Sequence, residues 1–209
     1  IGKVSTFVPG IFEFRSINHK TPETSIYPRF KSYESNINLK GIGDEKLKYT
    51  GGLGLQGNRV NSNSVDGSLA TIEVRGETDK KFKAIAECFG FQDSVIVSPR
   101  ARVTIYQQND SIVHPAMEVW YDHKNQKLVL NKEKSQLRKA PFSSSYFDIE
   151  FTADQIRWDL KSDSLSAWIQ GSGNISPMVL ESNDFYDPEG YRELRGKGFS
   201  FHPLALVVN

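Results

Sequence analysis

The chain has 209 residues, 38% of them hydrophobic and 24% charged, which is too apolar for disorder and long enough for one large β domain or two small ones. Its formal net charge is +1, so no excess of positive charge draws it to nucleic acid, and none is expected as a partner. A lone cysteine, Cys88, excludes an internal disulfide framework, and no apolar run approaches the length of a membrane span, so the chain is not expected to span a membrane.

Residues 1–26 alternate poorly and carry Pro9 and Pro22, which predicts an irregular lead-in or end cap. Residues 27–170 read as the main β domain, because apolar and polar residues alternate with the period of a half-buried strand. Ile37 and Leu39 alternate first. Leu47, Tyr49, Gly51, Leu53 and Leu55 then share one parity, and Ala70, Ile72 and Val74 follow. Next come Val103 and Ile105, then Met117, Val119 and Tyr121, then Leu128 and Leu130. Ile149 and Phe151, then Ile156, Trp158 and Leu160, then Leu165, Ala167 and Ile169 complete the set. A helix would need apolar residues three and four apart, and these stretches lack them.

The connectors 61–67, 122–126 and 161–164 are rich in Asn, Asp, Ser and Gly, which bond their own backbone or accept positive φ. Residues 171–209 read as an irregular region followed by closing strands; residues 185–195, with Pro188 in the first turn, are the one helical candidate. The expected fold is all-β, with mostly antiparallel strands in an elongated sandwich, jellyroll or solenoid-like stack and little helix. The abrupt start at Ile1 and the strand-like end 204–209 lead to the expectation of a domain cut or processed from a longer polypeptide, whose other domains would be its partners.

Candidate chemistry is sparse, and no catalytic, metal or cofactor site is expected. Lys80-Lys81-Phe82-Lys83 reads as a solvated strand or turn. Cys88 shares parity with Phe82, Ala84 and Ala86 and reads as a small buried residue rather than a nucleophile. His114 and His202 each precede a proline, and with His123 they lack the short paired spacing of a zinc site. Gly51-Gly52-Leu53-Gly54 lacks the Gly-Lys-Ser/Thr ending of a phosphate loop and reads as a strand that bends sharply or packs against another backbone. Glu118, Asp122, Asp148, Glu150, Asp154 and Asp159 lie on or beside strands; a glycosidase would need two of them across a cleft. If Met117, Val119 and Tyr121 face the core, Trp120 stands outside with Glu118 and Asp122. An indole among carboxylates there can stack on a sugar ring or contact a neighbouring module, whereas if both faces of the strand are covered it belongs to a second core layer; Trp120, Glu118 and Asp122 are the candidate ligand-binding residues. Trp158 belongs to the core by parity with Ile156 and Leu160.

The stretches Ala116-Met117-Glu118-Val119-Trp120-Tyr121-Asp122 through Leu128-Val129-Leu130, and Phe151-Thr152-Ala153-Asp154-Gln155-Ile156-Arg157-Trp158, carry a family texture. They resemble the β-jellyroll slices of lipopolysaccharide-transport proteins of the Gram-negative cell envelope. The resemblance implies stacked antiparallel strands folded into a trough that holds acyl chains, and a place in the cell envelope or outside the cell. Leu53, Leu55, Ile72, Val103, Ile105, Val119, Leu128, Leu130 and Trp158 would line such a trough, or form the core if the stack is closed. The expected function is therefore a non-enzymatic structural or binding module of a larger envelope or secreted protein, one that holds lipid if the trough is open. Alternatives are a carbohydrate-binding β-sandwich or a glycan-active enzyme domain.

Overall fold

The computed structural model describes residues 7–16, 24–39, 45–132, 140–162, 164–169 and 178–183. Seventeen strands lie among them: β1 (Gly10–Glu13), β2 (Arg29–Ser32), β3 (Ile37–Leu39), β4 (Leu47–Gly51), β5 (Gly54–Gln56), β6 (Arg59–Asn61), β7 (Ala70–Arg75), β8 (Lys80–Ala86), β9 (Gly90–Phe91), β10 (Val95–Gln107), β11 (Asp110–Asp122), β12 (Lys127–Lys132), β13 (Phe142–Ser144), β14 (Ile149–Phe151), β15 (Gln155–Asp159), β16 (Leu165–Trp168) and β17 (Leu180–Ser182). All pairings between them are antiparallel, and the fold is all-β.

The long hairpin β10–β11 organises everything else. Its outer half, Val95–Ser98 against Val119–Asp122, continues one wing: β1-β2-β5-β6-β9-β10-β11-β12-β15-β16. Its tip half, Ala101–Gln107 against Asp110–Met117, continues a second: β3-β4-β7-β8-β10-β11-β13-β14-β17. Between the halves lie two register shifts, one adding a residue to β10 and the next a residue to β11. Each bulge bends the hairpin and resets which parity faces inward. The inward set changes from Ile96 and Ser98 to Ala101, Val103 and Ile105 on β10, and from His114 to Met117, Val119 and Tyr121 on β11. The buried side therefore continues through the corner, with Ser98 and His114 among its apolar residues, and the sheet folds over on itself without closing into a barrel.

The two wings meet face to face as a sandwich. Phe82 of β8 meets Tyr121 of β11 edge-on, with ring centroids 5.0 Å apart, and Tyr49 of β4 meets Phe91 of β9 at 5.2 Å. Neither pair is on neighbouring strands, so both contacts cross the interior. Ile72, Phe82, Val119, Leu128, Leu130 and Ile156 are fully buried in the same cluster. The side chains expected to line a trough thus form the interior, except that Leu53 and Leu55 are only half-buried.

The reason is a second corner. The run 47–55 is two strands, not one: β4 belongs to the second wing and β5 to the first, and parity does not carry across Gly52-Leu53. The chain passes this point against other backbone, since a Cβ on Gly52 would stand 2.6 Å from the Cβ and 2.8 Å from the nitrogen of Ser64. The Tyr49 hydroxyl donates to the Gly52 carbonyl and ties the corner to the core.

Other differences are local. The lead-in contains an edge strand, β1, paired with β2, and β17 from the region after residue 170 pairs with β14. Cys88 is half-buried rather than core, because β8 ends at Ala86 and the bend that follows gives the interior position to Phe89. The helical candidate 185–195, the strand-like end 204–209 and His202 lie outside the described residues.

Candidate functional site

Strands β11, β12, β15 and β16 form one end of the first wing, and their register fixes which side chains share its solvent face. Trp120 stands opposite Val129, Val129 opposite Arg157, and Arg157 opposite Ser166. One step along, Glu118 stands opposite Asn131, Asn131 opposite Gln155, and Gln155 opposite Trp168. The inward rows of the same strands, such as Tyr121, Leu128, Trp158 and Leu165, point into the sandwich. The outward lattice therefore has an indole at each end, 36% exposed at Trp120 and 43% at Trp168. With neighbouring strands about 4.8 Å apart and about 3.4 Å per residue, the two Cα positions are separated by roughly 16 Å.

The ground between the indoles is polar and internally braced. The Gln155 side-chain amide donates to the Asn131 side-chain oxygen Oδ1 at 2.6 Å. The Arg157 guanidinium lies 5.2 Å from the centroid of the Trp168 ring. That cation–π contact holds the indole against the sheet with donors beside it. Such a surface offers flat apolar faces to stack on and amide, hydroxyl and guanidinium groups to hydrogen-bond a hydroxyl-rich ligand.

Of the three residues singled out from the sequence, Trp120 and Glu118 lie together on this exposed face. Asp122 does not present its carboxylate to it. One oxygen accepts from the backbone nitrogens of Lys124 and Asn125, both at 3.0 Å, and the other from the Asn125 side chain at 2.7 Å. Burial opposes ionisation of Asp122, but these bonds outweigh it and hold the carboxyl below its ordinary range. Asp122 is a turn residue closing β11 to β12. Trp168, Arg157, Gln155, Asn131 and Ser166 were not part of the sequence-based set. The outward position of Trp168 was legible from Leu165, Ala167 and Ile169 pointing inward; its membership of the same face depends on pairing between β12, β15 and β16.

Several of the other polar candidates are occupied structurally. His114 is buried: its Nδ1 accepts from the Ala116 backbone nitrogen at 3.1 Å, so its Nε2 carries the proton and donates to the Ala140 carbonyl at 3.0 Å. Burial lowers its proton affinity. Asp154 pairs with Lys132 at 3.6 Å, Asp159 accepts from the Lys161 backbone nitrogen at 3.1 Å, and Asp148 accepts from the Asn183 side chain at 2.9 Å. Burial pushes the Cys88 thiol up, away from thiolate chemistry. Among the described residues no group of His, Cys, Asp and Glu side chains is arranged to hold a metal ion, and no helix is long and apolar enough to cross a membrane. No protein-family model, curated protein or solved structure matches the chain.

Proposed function

We propose that the chain is a non-enzymatic carbohydrate-binding module whose ligand is an extended glycan laid across the outer face of β11, β12, β15 and β16. One observation carries the reading: two half-exposed indoles on a rigid sheet face, separated by a braced polar strip. Large exposed aromatics are costly to leave in water and mark interaction surfaces when they share a face. The polar strip between them suits a ligand that is apolar on its ring faces and hydroxylated at its edges. A face on strands holds its side chains in fixed positions, so binding needs little ordering of the protein.

The test is a panel of immobilised polysaccharides probed with the wild-type chain and with Trp120→Ala and Trp168→Ala. Binding to at least one polysaccharide is expected, weakened about tenfold or more by either substitution, the scale of losing a stacked aromatic anchor. Wild-type protein that retains no polysaccharide, or retention indifferent to both substitutions, would remove the proposal.

A further inference from the structure

A second feature lies on the opposite side of the same strands, where the two wings diverge. A cleft of about 420 Å³ opens between the tips of β8, β10 and β11 in the second wing and the last two strands, β15 and β16, of the first. Its floor is apolar: Ile105 and Ile112 from one wing, Trp158 and Leu165 from the other. The Trp158 indole is fixed by its own N–H, which donates to the Ser162 carbonyl at 3.1 Å. Two lysines stand at the rim. The Lys81 ammonium lies 6.0 Å from the Trp158 ring centroid, and Lys80 lies 5.9 Å from that of Tyr106 while pairing with Glu73 at 3.2 Å. Glu73 neutralises Lys80, so Lys81 is the ammonium that serves the mouth, with Asp79 the one carboxylate among the lining residues. A cleft of this volume is within the range that takes a small ligand.

We propose that this inter-wing cleft binds a medium-chain carboxylate, with its hydrocarbon chain on Ile105, Ile112, Leu165 and Trp158 and its headgroup at Lys81. The apolar floor selects the chain by burying it, and the ammonium selects an anion because a charge-assisted contact strengthens where an indole displaces water. Nothing in this proposal depends on the glycan face, which lies on the other side of the sheet.

The experiment uses a Trp120→Phe/Trp168→Phe chain, so that all tryptophan emission comes from Trp158. Decanoate, kept below its micellar concentration, is expected to change that emission saturably. Decanol, which has the same chain without the charge, is expected to bind about tenfold more weakly, as is decanoate to a further Lys81→Met variant; Lys81→Arg is expected to keep the affinity. Absence of a saturable change with decanoate, equal affinity for decanol, or full affinity in the Lys81→Met variant would overturn the proposal. Polysaccharide retention by the wild-type chain is read separately, so either idea can fail without the other.

Discussion

Phe82 and Tyr121 test whether the two wings close on each other. Phe82 is fully buried on β8, Tyr121 is nearly so on β11, and their rings meet edge-on at 5.0 Å across the interior. Truncating Phe82 to Ala removes a buried ring that the surroundings cannot refill, at a cost of about 4 kcal/mol. For a domain of this size that lowers Tm by roughly 8–16 °C. Tyr121→Ala is expected to cost a similar amount. Because the two rings share one contact, the double variant should be less destabilised than the sum, by at least about 0.5 kcal/mol. The assay is urea denaturation of the four proteins at constant slope, followed by far-ultraviolet circular dichroism. Strict additivity would mean that the rings do not touch and that the wings are not packed as described, even if each single variant were unstable.

Two further outcomes follow from the polar groups. Asp122→Ala removes three hydrogen bonds from the β11–β12 turn and is expected to cost about 1–2 kcal/mol while leaving polysaccharide retention unchanged; denaturation and retention of the same sample check both halves. His114 is held neutral, and burial lowers its proton affinity below the ordinary value of 6.5. Between the folded and unfolded pKa values the unfolded chain binds the extra proton, so this contribution to stability is whole above about pH 6.5 and is lost as the pH falls through the folded pKa. His114→Gln is expected to flatten the decline in urea midpoint between pH 7.5 and 5, and an unchanged decline would assign it to other groups.

The legible part of this fold is the part governed by two-residue periodicity. Met117, Val119, Tyr121, Leu128, Leu130, Ile156 and Trp158 were placed inward by parity alone, and they are inward. Parity failed where the chain changes wing. Leu53 and Leu55 follow Tyr49 in phase, yet the corner at Gly52-Leu53 carries the chain from the second wing to the first. Cys88 follows Ala86 in phase, yet β8 has ended. The hairpin β10–β11 was visible only in pieces, because its two bulges reset the alternation midway along both strands and its tight turn at Gln108 uses a left-handed φ of 54° in a non-glycine residue. The candidate face shows the same division. Trp120 and Glu118 were found because they share a strand, whereas Trp168 and Arg157 join them only through register. Which strand lies beside which is decided by the packing of the whole interior, not by any local run.

The central claim is that the two outward indoles, and not the inward one, meet a glycan. A ¹⁵N-correlated NMR spectrum resolves the three indole N–H signals, assigned by single Trp→Phe substitutions, and is recorded with increasing amounts of a soluble oligosaccharide of whichever polysaccharide retains the protein. The account predicts that the Trp120 and Trp168 signals move together along one saturation curve while that of Trp158, bonded to the Ser162 carbonyl, stays in place. Movement of Trp158 alone, or a titration in which neither outward signal moves, would contradict it.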